Sequence, residues 1–125
     1  MQQINKKILI VEDDKDFSWI LRQSLESQFL TVVYAMDGEE GLAMAQKENP
    51  DLIVIDILMP KMDGITMARK IKEKGIKSKM IFLTNFKDSD HITKALDVAS
   101  EIDYIIKSDM HIDAIVERIK NKLNS

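Results

Sequence analysis

Four apolar runs in this sequence end on residues able to do chemistry. ILIV is followed by Glu12-Asp13-Asp14, and DLIVI by Asp56. MIFL is followed by Thr84, and YII by Lys107. If these runs finish on one rim, carboxylates, a hydroxyl and an ammonium share it. Crowded carboxylates repel: two charges ~4 Å apart cost roughly 4 kcal/mol at an effective dielectric near 20. Either one keeps its proton or a cation joins them. Mg²⁺, or Mn²⁺ in its place, suits such a site because it takes hard oxygen ligands and bridges carboxylates to phosphate. A carboxylate can accept a phosphoryl group as an acyl phosphate. On this reading Asp56 is the nucleophile and Asp13 holds the metal directly. Glu12 acts on the metal through water, and Lys107 and Thr84 bind phosphoryl oxygens as charge develops on them.

The elements that must position these groups are legible in outline. Ile8–Val11, Leu52–Ile55, Met80–Leu83 and Tyr104–Ile106 are continuous apolar runs, with a weaker one at Thr31–Ala35. Continuous runs fit a parallel sheet covered by helices on both faces. Between them, Phe17, Ile20, Leu21, Ser24 and Leu25 follow one helical face, as do Ile92, Ala95, Leu96 and Ala99. Ile112, Ile115, Val116, Ile119 and Leu123 form another, and Glu39–Lys47 and Ile65–Lys74 are helix-like. Asp37 with Glu40 reads as a helix start, Asn49-Pro50 as a stop, and Gly75 as a second stop. The β-α order, five times over, predicts an α/β fold with right-handed crossovers. In such sheets ligands bind beyond the carboxyl ends of the strands.

Composition narrows the options. The chain has 125 residues, no cysteine and a net charge of −3. One domain with a real core is expected over residues 1–125. Disulfide frameworks, Cys-ligated zinc and thiol catalysis are excluded. The net charge argues against direct nucleic-acid binding. Neither a signal-peptide pattern nor a spanning apolar run is present, so a cytoplasmic protein off the membrane is expected.

The motifs ILIVEDD, DLIVIDILMPKMDG, FLTN and DYIIK, in this order, resemble the receiver domain of bacterial two-component response regulators, the CheY-like family. The resemblance runs from Ile8 to about Leu123. It implies a flavodoxin-like (βα)5 three-layer sandwich with strand order 2-1-3-4-5. It also implies phosphotransfer to Asp56 from a sensor histidine kinase or phosphotransfer protein, dependent on Mg²⁺. The metal ligands would be Glu12, Asp13, Asp56 and the backbone carbonyl of Leu58. Thr84 and Tyr104 would act as the switch pair. The face of the fourth helix, fifth strand and fifth helix would then change, toward an unknown downstream target. The protein would be a monomer or a phosphorylation-dependent dimer. It would be a signalling switch that phosphorylates and dephosphorylates itself, with no independent substrate turnover.

Several positions depart from the family pattern. Ser108 replaces the usual proline, which predicts a trans Lys107–Ser108 bond and a reshaped loop. Asn85 replaces a small residue. Leu58 and Phe86 are large and apolar where the attacking water would pass, which predicts slow autodephosphorylation. The usual glycine before the last strand is absent. Other residues have plainer readings. Asp14 and Asp63 are expected to start helices, His91 and His111 to lie at helix starts, and the methionines to pack. Trp19 sits off the apolar face of its helix. It is either partly buried against a neighbouring helix or an exposed anchor for kinase docking. Two other functions compete: a pseudo-receiver that only binds partners, and a phosphatase with a carboxylate nucleophile. The phosphatase would want an acid at position 58, where Leu58 stands. A flavin carrier would want phosphate-binding loops where Glu12-Asp13-Asp14 repel phosphate.

Overall fold

A computed structural model of the chain describes residues 4–85 and 103–125. The elements are β1 (Ile4–Val11), α1 (Lys15–Glu26), β2 (Phe29–Ala35), α2 (Gly38–Glu48), β3 (Leu52–Ile55), α3 (Gly64–Glu73), β4 (Lys79–Thr84), β5 (Asp103–Ile106) and α4 (Ile112–Leu123). A 3₁₀ turn, Lys107–Asp109, leads from β5 toward α4. The five strands are parallel in the order β2-β1-β3-β4-β5. This is the expected flavodoxin-like order. The expected helix around Ile92–Ala99 lies outside the described residues, as do Phe86 and His91.

The continuous apolar strands follow from burial on both faces. Successive strand residues point to opposite sides. Leu9, Val11, Ile53, Ile55 and Phe82 pack with α2 and α3 through Ala45, Met67, Ala68 and Ile71. Ile8, Ile10, Leu52, Val54, Ile81 and Leu83 pack with α1 and α4 through Leu21, Leu25, Ile115, Val116 and Ile119. Truncating one such side chain, as in Leu21→Ala, costs about 2–5 kcal/mol.

The helix boundaries have local causes. Asp14, Asp37 and Asp63 cap α1, α2 and α3, each accepting from the backbone N–H three residues on. Glu40 reaches back to the Met36 N–H at 2.9 Å. Asn49 ends α2 in the left-handed region at φ 47°, and Gly75 follows α3 at φ 75°. The Lys79 amine donates to the carbonyls of Lys122, Leu123 and Ser125, closing the end of α4 against the start of β4. His111 stands just before α4, as expected.

One helical face differs from expectation. In α1 the buried positions are Ser18, Leu21 and Leu25, while Ile20 is 46% exposed. The stripe is centred on the 18-21-25 row, which a hydroxyl conceals in the hydrophobic pattern. Trp19 is 56% exposed, so it is not partly buried against a neighbouring helix.

Candidate functional site

Every strand delivers its last residues to the same end of the sheet, because all five are parallel. β1 pairs with β3 through Val11 and Ile55, so Glu12 and Asp56, the next residue on each strand, emerge side by side. The Asp56 N–H donates to the Val11 carbonyl at 3.0 Å, and the Glu12 N–H to the Ala35 carbonyl at 3.1 Å. Thr84 at the end of β4 pairs with Ile106, which places Lys107 one residue beyond.

The side chains meet as the strand ends suggested. One carboxylate oxygen from each of Glu12, Asp13 and Asp56 lies within 4.8 Å of the others. Glu12 and Asp56 are buried, and Asp13 is exposed. The Lys107 amine donates to Glu12 Oε1 and lies 3.5 Å from Asp56 Oδ2. Glu12 Oε2 accepts from the Asp14 N–H at 3.0 Å. Burial pushes the Glu12 carboxyl up to about 8, and the neighbouring Asp56 carboxyl adds to the effect. Lys107 and the Asp14 N–H pull it the other way without overcoming burial. The metal-free cluster therefore holds a proton near neutral pH. Exposed and buried carboxylate oxygens this close are a hard donor set that fits a small divalent cation.

The remaining sequence-derived residues fall around this centre. Thr84 is 2% exposed. Tyr104 is partly buried and packs against the core on the α2–α3 side, its ring 6.3 Å from that of Phe82. Leu58, two residues past Asp56, is 60% exposed. Asp14 caps α1. The described residues contain no cis peptide bond, so the Lys107–Ser108 bond is trans, and the chain turns there through the 3₁₀ turn.

The turn after Asp56 is held tightly. Lys61 has φ 69°, and the Met62 N–H reaches the Pro60 carbonyl at 2.7 Å. This is a strained γ-turn at a non-glycine residue. Lys61 also pairs with Asp37 at 3.5 Å, tying the turn to the start of α2. The Gly64 N–H closes the loop onto the Ile57 carbonyl at 2.8 Å. A Cβ on Gly64 would lie 2.2 Å from the Asp56 carbonyl oxygen. Asp63 then starts α3, accepting from both the N–H and the hydroxyl of Thr66.

Two contributors were not foreseen. Phe17 places its ring under the Lys107 amine, 4.5 Å from the ring centroid. This cation–π contact steadies the ammonium between the two buried carboxylates. Gly64 is the other, because its lack of a side chain lets α3 begin directly against Asp56. The Phe17 contact leaves no spacing signature, since it depends on how distant elements are juxtaposed; Gly64 closes the motif that holds Asp56, but its close packing on the Asp56 backbone shows only in the fold.

Comparison with known proteins agrees with this geometry. The family model for the response regulator receiver domain matches residues 8–120. The alkaline phosphatase synthesis transcriptional regulatory protein PhoP of Bacillus subtilis is 34% identical over 118 residues, covering 93% of this chain and 49% of that protein. The transcriptional regulatory protein RprY of Bacteroides fragilis is 32% identical, covering 94% of this chain and 52% of that one. The chain thus spans about half the length of these curated relatives. Among solved structures, a Francisella response regulator receiver domain superposes with a TM-score of 0.84 at 28% identity, covering 96% of this chain and 98% of that one. A CheY-like response regulator receiver domain protein from Methanospirillum hungatei gives a TM-score of 0.83 at 28% identity, covering 97% and 95%. Receiver domains act as signalling switches and bind Mg²⁺ at an acidic pocket, and this chain carries an Asp/Glu cluster, Glu12, Asp13 and Asp56, at its strand ends. The chain belongs to the response regulator receiver domain family.

Proposed function

We propose that this domain, over residues 1–125, accepts a phosphoryl group on Asp56 from a phosphohistidine of a sensor histidine kinase or phosphotransfer protein. The P–N bond of the donor breaks as a P–O bond to an Asp56 carboxylate oxygen forms. The observation that carries this reading is the Lys107 amine, held against both Glu12 and Asp56 beside the Asp13 carboxylate. A lone strand-end aspartate would need none of these neighbours.

Bound Mg²⁺ would neutralise charge on the phosphoryl oxygens. Asp13, Asp56 and the Leu58 carbonyl would hold it, with Glu12 acting through water. Lys107 would transfer its contact from a carboxylate to a phosphoryl oxygen, so charge would be compensated as the product forms. The Thr84 hydroxyl would bond another phosphoryl oxygen. Tyr104 would then move into the space behind Thr84, favouring one conformer of the β5 and C-terminal helix face. That face would engage the downstream target, as a monomer or as a phosphorylation-dependent dimer. Among the described residues no helix is long and apolar enough to cross a membrane, and we place the domain in the cytoplasm with its kinase's catalytic part.

The test is intact mass after incubation with a small phosphodonor and Mg²⁺. One phosphate should be added to the native chain and none to Asp56→Asn. No addition to the native chain, with either a small donor or a phosphohistidine donor, would favour a pseudo-receiver that only binds partners.

A further inference from the structure

A cavity opens between α1 and the edge strand β2. Its volume is about 450 Å³, within the range of small-molecule sites. Lys15, Asp16, Ser18, Trp19, Arg22 and Tyr34 line it. Nothing in the phosphoryl chemistry uses this cavity.

Three features give it a built character. First, the Arg22 guanidinium carbon sits over the Tyr34 ring, 3.8 Å from its centroid. A cation–π contact of this kind holds the guanidinium in place in advance of any ligand. Second, two polar groups of the lining are buried and have no hydrogen-bond partner among the described residues: the Ser18 hydroxyl and the Arg22 Nε. Ser18 is 1% exposed. Both atoms lie buried behind the cavity wall, and buried donors without partners are uncommon and unfavourable. Third, Trp19 and Tyr34 stay 56% and 45% exposed, leaving two large ring systems at the cavity's walls.

The lining also selects a charge. Two cations, Lys15 and Arg22, face one carboxylate, Asp16. The aromatic walls favour a flat ring, and Met36 adds an adaptable apolar surface. We propose that this cavity binds a small planar aromatic anion, a ring carrying one carboxylate or phosphate group. The ring would lie against Trp19 and the Arg22–Tyr34 pair, and the anionic group would accept from the Arg22 guanidinium and Lys15. Trp19 then has a role as a ligand wall, off the Phe17 side of α1 where Lys107 sits.

Trp19 is the chain's single tryptophan, so its fluorescence reports on this cavity directly. The whole chain is titrated with 4-hydroxybenzoate and, separately, with phenyl phosphate, with calorimetry alongside. Phenol and inorganic phosphate are the controls. At least one anionic ring should saturate the site with Kd below ~1 mM, and each control should bind about tenfold more weakly or worse. Saturation by only one of the two identifies its anionic group as the one preferred; saturation by both assigns the ring-plus-anion class as a whole. Arg22→Ala should weaken binding about tenfold. Lys15→Gln, at an exposed position that folding tolerates, should weaken it severalfold and serves if Arg22→Ala fails to fold. The proposal is overturned if neither anionic ring saturates with Kd below ~1 mM, if inorganic phosphate or a neutral ring binds as well, or if the folded variants bind like the native chain.

Discussion

Replacing Gly64 by alanine tests the packing that sets Asp56 in place. Gly64 is buried at the first position of α3 and does not have a positive φ. By helix propensity alone alanine is better there by up to ~1 kcal/mol. The local geometry says the opposite. A Cβ would meet the Asp56 carbonyl oxygen at 2.2 Å, the Asp56 carbonyl carbon at 2.9 Å and Ile55 Cγ2 at 2.8 Å, where real Cβ contacts essentially never fall under 3.0 Å. The nearest atom is backbone and cannot rotate away. The turn or the Asp56 peptide must therefore move by about 1 Å, and overpacking of this kind costs about 1–3 kcal/mol. For a domain of this size that lowers Tm by roughly 5–15 °C. A displacement near 1 Å at a reacting group lowers rate by about a hundredfold. The assay is phosphorylation rate by a small donor with Mg²⁺, beside a thermal melt. Gly75→Ala is the control: a Cβ there meets nothing within 4 Å, but φ is 75°. It should lose about 1 kcal/mol through backbone strain and keep its phosphorylation rate. A Gly64→Ala protein with native rate and unchanged or higher Tm would refute the reasoning.

Three further outcomes are expected. Lys107→Met leaves Glu12 and Asp56 buried without their ammonium, which should cost about 3–5 kcal/mol when both are ionised. The loss should shrink near pH 6 and grow toward pH 9, because Glu12 can take up a proton at lower pH; urea unfolding at both values checks this. The raised Glu12 carboxyl makes the metal-free fold bind a proton more tightly than the unfolded chain, so its contribution to stability is complete below about 4.5 and is lost as pH rises through about 8. Metal binding must displace that proton. Apparent Mg²⁺ affinity, measured by calorimetry, should rise up to about tenfold per pH unit until pH 8 and then level off; a flat profile would contradict the assignment of Glu12 to the cluster. Leu58→Gln puts a polar group where a large apolar one stands exposed beside Asp56. It should shorten the phosphoryl lifetime about tenfold, read by decay of the phosphorylated mass; an unchanged lifetime would remove Leu58 as a timing residue.

Much of this architecture was legible because a few strong signals repeat. Each buried strand is a short continuous apolar run and helical patterns alternate with them, so a parallel sheet followed, while the strand order came with the family resemblance. The site was legible for the same reason: Glu12, Asp56, Thr84 and Lys107 directly follow or end those runs, and parallel strands must bring their ends together. What stayed hidden depends on distance in space. Ser18 hides the buried stripe of α1 because a hydroxyl occupies a core position, while Ile20 stands in solvent. The contact of Phe17 with Lys107 joins residues 90 apart in the chain. Gly64 reads as an ordinary turn residue until the Asp56 backbone is seen against it. The pairing of Arg22 with Tyr34 links a helix to an edge strand through a cation–π contact, which leaves no period in the sequence.

The central claim is that Asp56 is the group phosphorylated. The most direct measurement labels the chain with a small phosphodonor and Mg²⁺, reduces the acyl phosphate with borohydride, and locates the product by peptide mass spectrometry. The account predicts homoserine at position 56 and nowhere else, with the label lost when Mg²⁺ is chelated. A product at Glu12, Asp13 or another carboxylate, or labelling of Asp56 that is indifferent to the metal, would contradict it.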